Sequence, residues 1–202
     1  MSEPRFKRRK EQRPGEIADA AFEVFAEKGY DGARVDDVAK RAGVSKGLLY
    51  LYFKTKEELF KAVIKRVVMA RLDSLLVAVE ETELSSEDFI RGPLAGFMKR
   101  VPGSPVAVVI RLLISEGHKH PDLVDYYMEN VVSRGLGAIT RFVERGIERG
   151  EVRRSELDEL PQLFIAPMMV SMIWTIVFSK HPLDTDKLIE TQLEMILAYI
   201  RA

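Results

Sequence analysis

The stretch VDDVAKRAGVSKGLLYLYF, Val35 to Phe53, spells two short helices separated by a tight turn. Val35, Val38, Ala39 and Ala42 fall at i, i+3, i+4 and i+7, which gives the first segment one apolar stripe at helical period. Gly43 follows the last of them, where a left-handed residue is cheapest for glycine and lets the chain turn sharply. Val44 can then fill the space between the helices, while Ser45 offers its hydroxyl to the free amides of the second helix. That helix opens Lys46, Gly47, Leu48, a cation followed by almost no bulk. Two helices arranged so form a helix-turn-helix, whose second member enters the major groove, about 12 Å wide, with its first residues nearest the bases.

On the N-terminal side, the pattern is helical from Glu16, with Ile17, Ala21, Val24 and Phe25 on one face and Gly29 closing the segment. Before it, residues 1–13 hold Arg5, Lys7, Arg8, Arg9, Lys10 and Arg13 against Glu3 and Glu11, without apolar period. They read as a mobile basic arm, either a solvated tail or a contact to phosphate and the minor groove. On the C-terminal side, Thr55 and Glu58 have the spacing of a reciprocal capping box. Leu59, Val63, Val67, Ala70, Leu72, Leu75, Leu76 and Val79 continue this helix towards Glu81. The expected division is an arm (1–13), a helix-turn-helix domain (14–57) and a larger helical domain (58–202).

Five further helices are predicted, at about 85–101, 104–117, 121–149, 157–180 and 184–201, punctuated by Gly103, Pro121, Gly150 and Pro182. Nothing alternates at period two for long enough to make a strand, so the fold class is all-α. The 202 residues carry 31 basic and 31 acidic side chains, but residues 1–56 hold 13 Lys/Arg against 9 Asp/Glu and the remainder 18 against 22. A basic front and an acidic rear suit a nucleic-acid head on a body with other work. The absence of cysteine excludes disulfides, thiol catalysis and cysteine-based zinc sites. His118, His120 and His181 are poorly matched to neighbouring carboxylates, so neither metal nor cofactor is expected. The charged N-terminus lacks the apolar run of a secretion signal, which points to the cytoplasm. The uncharged run Leu163–Phe178 has 16 residues, short of the roughly 20 that span a bilayer, and reads as a buried interface helix.

With the motif in place, residues 14–56 resemble the TetR family of bacterial transcription regulators. The matching segments are AAFEVFAEKGYDG, VDDVAKRAGVSKGLLYLYF and KTKEELF. The resemblance implies a homodimer that binds a palindromic operator in double-stranded DNA, usually as a repressor, and lets go when a small molecule enters the C-terminal domain. Carried over by position, Lys46, Gly47, Leu48 and Tyr50 would meet DNA, Tyr52 and Lys56 would contact phosphate, and Ser45 would cap the recognition helix. Three residues depart from the family's pattern. Leu48 stands where threonine or serine is common, and can touch a thymine methyl without reading a base by hydrogen bonding. Arg34 stands where a serine or threonine usually caps the first helix, and pairing with phosphate is its candidate role. Asp36 is expected to be repelled by phosphate, which argues against a direct base contact from this helix.

In the rear domain, Phe97, Arg111, Tyr127, Met168 and Met172 are the candidate effector-binding residues. Methionine adapts to variable ligands, although such stripes are more often core. Arg111 interrupts the apolar run VAVVIRLLI and needs a partner, either a carboxylate such as Glu116 or an acidic group on a largely apolar effector. The last two helices are apolar enough to pair across a two-fold axis or to close the protomer's own core. Two other functions compete: a structural DNA binder without effector, and an enzyme using the Glu116–His120 cluster. No nucleophile elbow, phosphate-binding glycine loop or metal-ligand pattern supports catalysis.

Overall fold

The computed structural model describes the backbone from Arg5 to Arg201 and side chains from Gln12 onward. Nine α-helices are present among the described residues, besides short 3-10 turns at Gly117–Lys119 and Glu156–Asp158, with no strand beyond an isolated bridge between Val152 and Arg201. They are α1 (Arg5–Gly32), α2 (Val35–Arg41), α3 (Lys46–Tyr52), α4 (56–81), α5 (86–100), α6 (Val106–Glu116), α7 (121–148), α8 (Gln162–Val177) and α9 (Thr185–Ile200). α4, α5 and α7 each pass through a wider π-type turn, at Lys65–Met69, Ile90–Leu94 and Met128–Val132. In α5 that turn contains Pro93, which lacks the N–H an α-ladder needs there.

The expected basic arm falls largely outside the described side chains, and from Arg5 the backbone is already helical. α8 begins at Gln162, after Pro161, five residues later than the pattern predicts. Pro167 lies inside it and the helix continues past it, with the Ser171 hydroxyl donating to the Pro167 carbonyl at 2.8 Å.

Two compact units divide the chain. The front unit runs to Ala70 and also takes in Val108–Tyr127; the rear unit comprises Arg71–Ala107 and the residues from Met128 onward. A segment that begins 38 residues after Ala70 thus packs as part of the front unit. Its core holds Ile17, Ala21, Phe25, Leu49, Leu59, Phe60, Val63 and Ile64, each at most 1 % exposed. Phe25, Tyr30 and Phe60 form an aromatic cluster with centroids 5.3–5.5 Å apart, an arrangement worth more than its buried area alone.

The rear core is built on Phe89, Ile90, Met98, Phe164, Met172 and Ile189. α9 turns Ile189, Leu193, Ile196, Leu197 and Ile200 inward, so these apolar residues close the protomer's own core. On α8, by contrast, Leu163, Val170, Ile173 and Val177 are exposed at helical spacing, and Met195 and Tyr199 are exposed on α9. No helix among the described residues is long and apolar enough to cross a membrane.

Candidate DNA-binding surface

The turn of the helix-turn-helix follows from its sequence. Gly43 adopts φ 64°, its N–H donates to the Lys40 carbonyl at 3.2 Å, and the Val44 N–H reaches back to Ala39 at 3.0 Å. This paired closure satisfies the last carbonyls of α2 and needs a left-handed residue at its centre. Ser45 then accepts the Leu48 N–H on its hydroxyl at 3.2 Å, capping α3 as its position predicts. Leu49 is wholly buried and anchors the helix. Lys46 and Gly47 face outward, with no atom within 4 Å of where a Gly47 Cβ would stand. Leu48, Tyr50 and Tyr52 are half-buried on its flanks. Leu51, which the sequence reading passed over, is 72 % exposed. Its spacing of four from Gly47 places it on the outward face, a signal the helical period contains.

The charges around this face are organised in pairs. Lys46 Nζ lies 2.7 Å from Asp36 Oδ1, and this hydrogen bond raises the lysine pKa. Asp37 accepts the Arg34 backbone N–H at 3.3 Å and binds Lys28 at 2.9 Å, and the Lys28 contact leads in holding its carboxyl below the ordinary range. The Arg34 guanidinium, a donor-only group, cannot cap α2; it is exposed, with no hydrogen bond or ion pair from its side chain among the described residues. Arg41 ties α2 to α1 through Glu23 and Glu27, both at 2.8 Å. At the start of α4, Thr55 accepts the Glu58 N–H at 3.1 Å, whereas the Glu58 carboxylate takes the Lys54 N–H at 2.6 Å. The capping box is thus shifted by one residue on its return arm.

Lys56 departs from the expectation that its ammonium meets phosphate. Its Nζ donates to the carbonyls of Tyr30, Asp31 and Ala33 at 2.9, 3.2 and 3.4 Å and lies 4.6 Å from the centre of the Tyr30 ring. An ammonium has three donors, so this side chain is spent on the turn after α1.

That turn is held from the other side by α6 and the residues after it. Gly29 adopts φ 73°, and the Tyr30 and Asp31 amides then point at Glu116, whose two oxygens accept them at 2.9 and 2.6 Å. A Cβ on Gly29 would stand 2.8 Å from Glu116 Oε1. His120 Nε2 lies 2.6 Å from the Asp31 carboxylate and Lys119 donates to it at 3.0 Å; these contacts lower the Asp31 pKa, that of His120 foremost. The His120 ring also meets the edge of Tyr30, whose phenol is pushed up to about 12, chiefly by burial. His120 therefore has a carboxylate partner 89 residues away that no local pattern announces. Asp31, Glu116 and His120 bring ligand-type atoms within 4.8 Å of one another, but Glu116 is spent on amides and Asp31 already shares a lysine. The same bonds engage Glu116, Lys119 and His120 of the cluster behind the enzymatic reading.

The five candidate effector residues separate. Phe97 lines a cleft of about 760 Å³ in the rear unit, between α4 and α5, together with Leu75, Ala78, Pro93, Val101 and Arg100. Arg111 is not among the residues lining this cleft: it is exposed, belongs to the front unit and donates to the Ala26 carbonyl at 3.0 Å, a backbone partner in place of the expected Glu116. Tyr127 also belongs to the front unit, and burial raises its phenol pKa. Met168 and Met172 are 8 % and 2 % exposed and serve as core. A buried methionine and a pocket methionine have the same sequence signature, and here packing took both.

Comparison with known proteins agrees with this architecture. Residues 17–63 match the profile of bacterial regulatory proteins of the tetR family, and residues 90–191 match the tetracyclin repressor-like C-terminal domain. The fatty acid metabolism regulator protein of Bacillus subtilis is 25 % identical over 193 residues, covering 95 % of this chain and 98 % of that protein. A crystal structure described as a TetR-family transcriptional regulator from Mesorhizobium loti superposes with a TM-score of 0.78 at 22 % identity, covering 99 % of this chain and all of that one. FadR of Bacillus subtilis in complex with stearoyl-CoA gives 0.67 at 24 % identity, covering 91 % and 97 %. With both its front and rear portions matched, and an outward-facing recognition helix on a capped helix-turn-helix, the chain belongs to the TetR family of transcriptional regulators.

Proposed function

We propose that the protein is a homodimeric, effector-responsive repressor that binds a palindromic operator and releases it when a small molecule occupies the rear unit. The exposed recognition helix carries this reading: Lys46, Gly47 and Leu51 stand outward on a helix anchored by Leu49, a layout suited to a major groove. Leu48, Tyr50 and Tyr52 flank the groove contact, Ser45 orders the helix start, and Arg34 supplies an unpaired guanidinium for phosphate. Lys56 contributes by fixing the turn after α1, with its backbone N–H left for the phosphate its side chain gives up.

Dimerisation is supported by the exposed stripe Leu163, Val170, Ile173 and Val177, an apolar face of the kind that marks an interaction surface. The effector is largely apolar with an anionic end, since the cleft combines apolar side chains at Leu75, Pro93, Phe97 and Val101 with the Arg100 guanidinium, Lys99 being paired with Glu190. Its size falls in the usual range for ligand sites. A relative concerned with fatty acid metabolism and a fold neighbour holding stearoyl-CoA favour that ligand class.

The decisive experiment sequences genomic DNA retained by the purified protein. Enrichment of one palindromic sequence, weakened by Lys46→Ala, by added salt and by an acyl thioester, is the expected result. Retention of DNA without sequence preference, and without release by any ligand, favours a structural DNA binder instead.

A further inference from the structure

Asp36 and Lys46 form an ion pair of 2.7 Å with side chains 62 % and 58 % exposed. In a helix-turn-helix the first residues of the second helix meet the base edges, so the carboxylate touching the Lys46 ammonium enters the same groove. There it repels phosphate and weakens the sequence-independent grip that supplies much of DNA affinity. Asp36 returns little to the fold beyond a first-turn carboxylate on the α2 dipole. Asp37 takes the Arg34 amide and the Lys28 ammonium, and an ion pair exposed on both sides contributes little to stability.

We propose that Asp36 and Lys46 act as a joint reader of a C·G base pair, an inference that rests on the DNA-binding reading above. In the major groove cytosine presents its N4 amino donor beside the O6 acceptor of its guanine partner, and N7 follows. The amino group and O6 are themselves hydrogen-bonded, so they lie at a hydrogen-bond separation of about 2.7–3.2 Å. An acceptor and a donor held 2.7 Å apart match that edge in both polarity and spacing. The carboxylate accepts from N4 while the ammonium donates to O6 or N7. A T·A or G·C pair reverses the pattern, setting O4 or O6 against the carboxylate. An A·T pair keeps a donor beside an acceptor, but its adenine N7 then repels the carboxylate and its thymine methyl stands where C·G offers the ammonium N7, so the flanking groups select C·G. Gly47 adds no side chain to screen the edge. The same carboxylate holds the Lys46 charge away from phosphate on non-cognate DNA, which lowers affinity there and widens the ratio that constitutes specificity.

Selection from a randomised duplex pool tests this, run in parallel with the wild type, Asp36→Asn, Asp36→Glu and Lys46→Met, each checked by circular dichroism for native helicity. Wild-type motifs should contain a C·G pair that Asp36→Asn and Lys46→Met both lose while the rest of the motif stays. Asp36→Glu should retain it. Asp36→Asn should also bind random-sequence duplex several-fold more tightly, lowering the specific-to-random ratio by about tenfold. A wild-type motif that Asp36→Asn leaves unchanged overturns the joint reader while keeping the regulator. Equal gains of Asp36→Asn on selected and random duplexes overturn it as well, reducing Asp36 to general repulsion. A wild type that enriches no sequence sinks the regulator reading itself.

Discussion

The recognition helix and the rear-unit helix α8 were both read from apolar spacing, yet their chemistry sits on opposite sides of that spacing. On α3 the residues offered to a partner, Lys46, Gly47 and Leu51, are those left outside when Leu49 is buried. On α8 the residues that looked adaptable enough for a ligand, Met168 and Met172, are the ones buried. A DNA reader places its chemistry away from its core, so helical period separates the two. A pocket for an apolar effector is lined by the same side chains as a core, and period cannot separate them.

Truncating a buried anchor in each region probes that contrast with the largest expected effects. Leu49→Ala should cost about 2–5 kcal/mol and abolish DNA binding by loosening α3. Met172→Ala should cost about the same through a cavity in the rear core, with no selective loss of ligand affinity once the folded fraction is accounted for. Phe97→Ala is the reverse case, since its half-buried ring faces the cleft. It should weaken binding of an acyl thioester, followed by calorimetry, more than it lowers the melting temperature. A Met172→Ala protein that folds normally yet loses the ligand would return α8 to the effector site.

The sequence made the front unit legible wherever the physics is local. Gly43, Ser45 and Thr55 act within five residues of the groups they satisfy and close or cap where their positions predict, although the return arm of the Thr55 box reaches Lys54 instead of Thr55. It was silent on the polar clasp around Gly29, because Glu116 meets Tyr30 and Asp31 across 86 and 85 residues. The same blindness assigned Lys56 to phosphate: its motif position was visible, whereas the three carbonyls that saturate it are gathered by folding. In the rear unit Phe97 alone among the five candidates lines the cleft, since Arg111 and Tyr127 belong with the front unit despite lying beyond residue 100.

Removing the clasp has a middle-sized effect. Glu116→Ala leaves the Tyr30 and Asp31 amides without their acceptor, and a hydrogen bond to a charged group contributes about 1.5–3 kcal/mol. Amide exchange at these two residues should accelerate, and the front unit should melt earlier; unchanged exchange would show that the turn holds without α6. Asp31 gives the same clasp a pH dependence. Its carboxyl is held below its ordinary value near 3.8 by His120 and then by Lys119, so it binds fewer protons folded than unfolded. The stabilisation is therefore present above that value and is lost as pH falls through the lowered folded pKa. Thermal midpoints taken downward from neutral pH should show an acid limb that Asp31→Asn flattens.

Leu51→Ala should produce the smallest change in stability and the sharpest test of the comparison. With 72 % of its surface exposed, Leu51 has little packing to lose, and substitutions at such positions usually stay within about 0.5 kcal/mol. What it can lose is contact with an apolar group on the DNA, and the thymine C5-methyl is the apolar feature a major groove offers. Replacing thymines in the enriched operator by deoxyuridine removes those methyls one at a time. If Leu51 meets one of them, a single such replacement should weaken the wild type several-fold and leave Leu51→Ala unaffected, so the two changes are not additive. A destabilised Leu51→Ala protein would mean that the outward face of α3 is packed against other residues. The contrast between a reader that shows its chemistry and a pocket that hides it would then fail at the residue that displays it most openly.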